Sequence, residues 1–167
     1  MYAPCYVRYD SNSVDLLQGI PLGLTFGSIP FLLKQTKSYQ DLAIFSLCSY
    51  PYSLKLLWSP IVDSYYSKSF GRRKSWIVPC QILIGVGLIY LGLWMPEDIG
   101  TASIYTLTAV FFMVVVLCAT QDIAVDAWAL TLLPDEMKSY SSTAQTIGLN
   151  CGYFLSFTVL LVLLFGV

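Results

Sequence analysis

Two carboxylates in the middle of an apolar run are the residues of this sequence with the clearest potential for chemistry. Asp122 and Asp126 are four residues apart, so on a helix their side chains share one face. The thirteen residues Leu107–Ala119 before them carry no charge. An ionised side chain in hydrocarbon costs at least ~2.5 kcal/mol, so such residues usually face a bundle interior or a water-filled cavity. The pair therefore makes the chain a candidate transporter.

Lys55 is the only basic residue deep within the apolar segments. If Asp63 and Pro134 mark the ends of their helices, Lys55 and Asp126 both lie about 12 Å inside, and Asp122 is one turn deeper. We therefore predict a buried polar network in which Lys55 pairs with Asp126. Asp122 is then a spare carboxylate, which either makes a structural hydrogen bond to a neighbouring helix or serves as a proton or gating site.

The segment between Trp58 and Trp76 carries a second charged group. Asp63 ends an apolar run, Gly71 permits a sharp turn, and a basic cluster follows at once, formed by Arg72, Arg73 and Lys74. This cluster is an anchor on the cytosolic side of a membrane, either alone or together with a gate. In the gate, Arg72 or Arg73 holds Asp63 by charge-assisted hydrogen bonds in one conformation and releases it in another.

Uncharged polar residues on two apolar segments could line a cavity or only join helices. The candidate cavity residues are Gln18, Gln145, Asn150 and Tyr153. Gly19, Pro21 and Gly23 predict a break near Gln18. Broken helices often mark binding sites in transporters, and the alternative is helix flexibility without binding. Gly148 and Gly152 are four residues apart, a spacing that predicts close helix contact.

Composition places the chain in a membrane and excludes several functions. It is 56% hydrophobic and 11% charged, whereas soluble domains carry about 25% charged residues. A net charge of −1 argues against nucleic acid binding, and the absence of histidine excludes His-based catalysis and His metal sites. The five cysteines match no metal or disulfide pattern. We expect no enzyme activity, no cofactor and no metal.

Five apolar segments, each near the ~20 residues that cross a bilayer, predict an all-α polytopic membrane protein. We expect a cytosolic tail over 1–14 and a membrane bundle over 15–167. The segments are 16–33, 41–62, 76–94, 102–133 and 141–167. Because five is an odd number and the last run ends at Val167, we expect part of a larger protein, a truncated product or an incomplete gene model.

Basic residues set the expected orientation. A cytosolic N-terminus would place six of them on the cytosolic side and two on the other, in accord with the positive-inside rule. The six are Arg8, Lys68, Arg72, Arg73, Lys74 and Lys138, and the two are Lys34 and Lys37.

Four blocks in order carry a family resemblance. The stretch PIVD followed by FGRRK resembles the loop between helices 2 and 3 of the major facilitator superfamily, although seven residues separate Asp63 from Gly71 here. LQGIPLGL, SLKLLWSPIVD, FGRRKSW and ATQDIAVDAWAL together resemble the acetyl-coenzyme A transporter family. Bacterial muropeptide permeases share a weaker version of these blocks.

The resemblance implies a twelve-helix fold of two six-helix halves, of which this chain would hold about five helices and lack the C-terminal half. It implies a carrier in the endoplasmic reticulum membrane that moves acetyl-CoA from the cytosol into the lumen by alternating access. Lys55 is then a competing candidate for a substrate phosphate. The alternatives are a truncated protein that transports nothing or associates with a partner, and a muropeptide permease. The polar residues 10–13 and Asp15 depart from the apolar start of the family's first helix.

Overall fold

A computed structural model describes residues 3–66, 71–94, 103–132 and 138–165 of the chain, and these residues form helices and connecting turns. The all-α fold predicted from the sequence is confirmed. The predicted loops at 95–100 and 134–137, and Lys68 of the basic set, lie outside the described residues.

The first segment is a long helix with one irregular turn. Helix α1 spans Ala3–Gly23, a π-helical turn spans Leu24–Ser28, and α2 spans Ile29–Thr36. The predicted break near Gln18 is wrong, because α1 remains helical through Gly19, Pro21 and Gly23; the irregular turn begins only at Leu24. Pro21 lies inside α1 and Pro30 lies in the first turn of α2, where proline's missing N–H costs little. The Thr25 hydroxyl donates to the Pro21 carbonyl at 2.7 Å, which gives that oxygen a partner.

The second segment is not one continuous helix. It consists of short helices α3, α4 and α5 joined by 3₁₀ turns, because Pro51 and Pro60 each start a new helix. Ser38 begins the segment with a capping box to Asp41. The elements are α3 Tyr39–Phe45, a 3₁₀ turn Ser46–Ser49, α4 Tyr50–Ser53, a 3₁₀ turn Lys55–Leu57 and α5 Ser59–Ser64.

Three long helices complete the described chain: α6 Lys74–Trp94, α7 Ile104–Leu132 and α8 Lys138–Phe165. Within the described residues, three stretches are long and apolar enough to cross a membrane, namely Ser13–Thr36, Lys74–Leu93 and Ile104–Ala129. The protein is therefore an all-α polytopic membrane protein.

Helix α7 lies at the centre of the bundle, and α6 and α8 lie at its periphery. Six described residues of α7 have no exposed surface: Val115, Cys118, Ala119, Gln121, Ala124 and Val125. In contrast, Leu93 of α6 and Leu163 of α8 are 78% and 76% exposed. A helix that presents leucine outward suits hydrocarbon or a further protein surface better than water.

Helices α1 and α8 approach each other closely through glycine. A Cβ at Gly19 would lie 2.9 Å from the Gly152 Cα, and a Cβ at Gly152 would lie 3.0 Å from the Gly19 Cα. Only glycine at both positions allows this separation without displacing backbone. The close contact predicted for Gly152 is confirmed, and its partner is α1.

Candidate functional site

Three charged side chains of the apolar segments form one cluster, the ion-pair cluster of Lys55, Asp122 and Asp126. Lys55 lies in the 3₁₀ turn before α5, and its Nζ donates a hydrogen bond to Asp122 Oδ2. The same Nζ lies 3.7 Å from Asp126 Oδ2. The side chain of Asp122 is 9% exposed, that of Lys55 24% and that of Asp126 52%. Asp122 is thus the inner partner and Asp126 the outer one.

This arrangement corrects one expectation and keeps another. Asp126 lies within ion-pair distance of Lys55, as predicted, but Asp122 is not a spare carboxylate, since it is the nearer partner. The predicted depths assumed an α-helical rise of 1.5 Å per residue. Residues Lys55–Leu57 are a 3₁₀ turn with a rise of about 2.0 Å, so Lys55 reaches farther along α7 than an α-helix would place it.

Gln18 joins the ion-pair cluster to α1. Its Nε2 donates to the Cys118 backbone oxygen at 3.0 Å and to Asp122 Oδ1 at 3.2 Å, and its side chain is fully buried. On the other side, the Lys55 ammonium lies 5.1 Å from the centre of the Tyr52 ring, a cation–π distance. The cluster therefore connects α1, α4, α7 and the turn before α5.

The other three candidate cavity residues do not gather around Gln18. Tyr153 packs across Gly23 and Gly27 of α1. Asn150 donates to the Thr146 carbonyl at 2.7 Å and lines an open, largely apolar groove on the outer face of α8. Gln145 is half-buried and its Nε2 has no hydrogen-bond partner among the described residues. Gln18 and Asn150 thus face different surroundings.

The second charged group is a loop latch formed by Asp63, Gly71, Arg72 and Arg73. Arg73 Nη1 donates to Asp63 Oδ1 at 2.6 Å, and Arg72 Nη2 donates to the Asp63 backbone oxygen at 3.0 Å. Gly71 adopts φ +92°, in the left-handed region that favours glycine. The left-handed turn lets the chain reverse so that both arginines return to the end of α5.

Sequence reasoning missed two contacts that reinforce the loop latch. The Trp76 indole N–H donates to the Tyr65 backbone oxygen at 2.7 Å, and the Arg72 guanidinium lies 5.5 Å from the centre of the Tyr66 ring. Tyr65, Tyr66 and Trp76 look like ordinary interfacial aromatic residues in the sequence, so the pattern alone does not reveal these contacts.

Asp15 is the buried acid that sequence reasoning did not assign. It lies in α1 with 3% of its surface exposed, and it interacts electrostatically with Asp122 and Asp126. In the sequence it stands close to the polar residues 10–13 and not within a long uncharged run. The signal that could have identified it is its spacing of three from Gln18, which puts both side chains on one helix face.

Comparison with known proteins supplies the family. Residues 13–165 match the family described as acetyl-coenzyme A transporter 1. An uncharacterized protein of Schizosaccharomyces pombe is 56% identical, over 88% of this chain and 29% of its own length. An uncharacterized membrane protein of Saccharomyces cerevisiae is 54% identical, over 87% of this chain and 30% of its own length.

More distant similarity extends to bacteria. The anhydromuropeptide permease of Escherichia coli is 32% identical, over 83% of this chain and 28% of the permease. No solved structure matches the chain. The chain thus spans less than a third of each of these curated relatives. With four sequence blocks in order and a family match over nearly the whole chain, this membrane protein belongs to the acetyl-coenzyme A transporter family.

Proposed function

We propose that the chain forms part of a carrier that moves acetyl-CoA, or a related anionic small molecule, from the cytosol into the lumen of the endoplasmic reticulum. The observation that carries the proposal is the family match over residues 13–165. The excess of basic residues on one predicted side supports an N-terminus in the cytosol. The remaining two thirds of the relatives' length would supply the rest of the transport path.

In this proposal the loop latch secures the cytosolic gate. The Asp63 side chain is 40% exposed and that of Arg73 is 12% exposed. An ion pair with such access to water contributes about 0–1 kcal/mol, so a conformational change can break and remake it at small cost. Arg72 and the turn at Gly71 would keep Arg73 in reach while the gate opens.

The ion-pair cluster would position helices and would not bind the phosphates of the substrate. Lys55 already has Asp122 and Asp126 as partners, and two carboxylates would repel an incoming phosphate. The competing role of Lys55 as a phosphate ligand therefore has less support than the ion pair. Substrate phosphates would need cations or helix N-termini elsewhere in the carrier.

The test is uptake of labelled acetyl-CoA into proteoliposomes. The 167-residue chain is compared with a form extended by the region that matches the rest of the budding yeast relative. We expect uptake by the extended form, competed by unlabelled acetyl-CoA. Absence of uptake by a folded extended form would overturn the substrate, and uptake by the short chain would overturn the need for a second half.

A second substrate class follows from the bacterial relative. Because the anhydromuropeptide permease of Escherichia coli is 32% identical over most of this chain, an anhydromuropeptide serves as the competing compound in the same assay. Uptake of labelled anhydromuropeptide by a folded extended form that takes up no labelled acetyl-CoA would move the assignment to that class. Competition by acetyl-CoA alone supports the first proposal.

A further inference from the structure

Two buried oxygen atoms on α1 lack a hydrogen-bond donor in the part of the chain that the structure describes. Asp15 Oδ2 and Gln18 Oε1 are both inaccessible to water, and neither has a hydrogen-bond partner among the described residues. Asp15 is 3% exposed and Gln18 is fully buried. Each atom accepts hydrogen bonds, and a buried acceptor without a donor destabilises the fold.

The two residues are neighbours on one face of the helix. Side chains three apart on an α-helix lie about 5–6 Å apart at Cβ, within reach of a carboxyl and a longer amide. The Gln18 amide cannot be turned around without loss, because its Nε2 donates to the Cys118 carbonyl and to Asp122. A flipped amide would point an oxygen at both acceptors. Gln18 Oε1 therefore stays directed away from α7 and needs a donor from elsewhere.

Charge balance around Asp15 points to the same missing donor. Asp15 interacts with the charges of Asp122 and Asp126, and Lys55 is the cation between those two acids. Three ionised carboxylates around one ammonium would leave two uncompensated negative charges in a membrane-spanning bundle, which is costly. Among the side chains that the structure describes, the titratable groups on the elements around α1 are Tyr105, Cys118, Asp122 and Asp126 of α7, Tyr50 and Tyr52 of α4, Lys55, and Cys151 and Tyr153 of α8.

We propose that Asp15 is a proton-binding site, in which Oδ2 accepts a proton from hydronium and the resulting O–H donates a hydrogen bond to Gln18 Oε1. One O–H bond of hydronium breaks and one forms on Oδ2, so water is released and the side chain passes from charge −1 to neutral. The single proton gives a partner to both buried oxygens and removes one of the two excess charges. Gln18 then links the protonated carboxyl to Asp122 and, through Asp122, to Lys55.

Infrared spectroscopy on the full chain tests the site without any transported compound. A protonated carboxyl absorbs as a carboxylic acid C=O band, separate from the carboxylate bands. At neutral pH we expect one such band in the wild type, shifted in protein grown with carboxyl-¹³C aspartate. Asp15→Asn should remove the band and Asp126→Asn should retain it. Absence of an acid band in the wild type, or its loss in Asp126→Asn alone, would overturn the proposal.

A stability comparison keeps the test valid if the band is weak. Asp15→Asn keeps a donor for Gln18 Oε1 in the form of an amide N–H, whereas Asp15→Leu does not. We expect the asparagine variant to unfold at a temperature within a few degrees of the wild type or above it, and the leucine variant to unfold well below it. Equal loss in both variants would show that the ionised carboxylate is the form that the fold requires.

Discussion

Removal of the Lys55 ammonium is the perturbation that discriminates best between the two possible pairings. Lys55→Met keeps the apolar stem and deletes the charge that lies between Asp122 and Asp126. Asp122 keeps the hydrogen bond from Gln18 but loses its cation. Because the Asp122 side chain is 9% exposed, water does little to replace that cation.

The expected cost follows from burial. Removing one partner of a buried ion pair destabilises a protein by about 3–5 kcal/mol, and we expect about 3 kcal/mol for Lys55→Met because Lys55 keeps some exposure. Asp126→Asn should cost at most about 1 kcal/mol, since the side chain is 52% exposed and lies 3.7 Å from Nζ. Asp122→Asn should lie between these values, because Lys55 retains Asp126.

The assay is reversible unfolding in detergent micelles, followed by tryptophan fluorescence. Trp58 is a suitable reporter, because its indole N–H donates to Thr120 Oγ1 at 3.2 Å, two residues before Asp122. The double variant Lys55→Met with Asp122→Asn should be more stable than the sum of the single changes predicts, by about 0.5–3 kcal/mol. Simple additivity there, or a larger cost for Asp126→Asn than for Asp122→Asn, would refute the assigned pairing.

Three further substitutions test other parts of the structure by the same unfolding measurement. Gly71→Ala should cost about 1–2 kcal/mol because of the left-handed backbone at φ +92°, whereas Gly85→Ala, which meets nothing within 4 Å on α6, should be neutral or stabilising by up to about 1 kcal/mol. Gly152→Ala should cost about 1–3 kcal/mol, because its Cβ would meet the backbone of α1; an effect as small as that of Gly85→Ala would refute the close packing. Arg73→Gln should lower stability by at most about 1 kcal/mol and raise the rate of uptake by the extended carrier; an equal effect of Arg72→Gln would contradict the assignment of the ion pair to Arg73.

Apolar length and composition were sufficient to predict the long helices, and proline limited the prediction in the second segment. The expected ranges 76–94 and 102–133 correspond to α6 Lys74–Trp94 and α7 Ile104–Leu132. The range 41–62 is equally apolar, yet Pro51 and Pro60 divide it into short helices. Hydropathy predicts whether a segment is buried. It does not predict the backbone path through two prolines, which depends on the residues that pack against the segment.

The charged residues of the site could be predicted from the sequence because a charged residue within an apolar run is unusual. Their pairing was harder to predict, because Asp122 and not Asp126 is the nearer partner of Lys55 and the segment that carries Lys55 is not a regular α-helix. Uncharged residues were harder to assign. Gln18 and Asn150 look alike in an apolar sequence, and only the packing of α1 against α7 separates a network residue from one on an outer groove.

The two charged groups differ in the free energy needed to break them, and this difference indicates where the bundle can move. The ion-pair cluster ties α1, α7 and the turn before α5 together at a depth where an unpaired charge is expensive. The loop latch joins Asp63 to Arg73 within one connection, where water can reach the 40% exposed Asp63 side chain when the pair opens. A conformational change that opens the latch and leaves the cluster intact has the lower cost. The broken second segment would therefore pivot about Lys55 and carry Asp63 away from Arg73, with α1 and α7 remaining in contact.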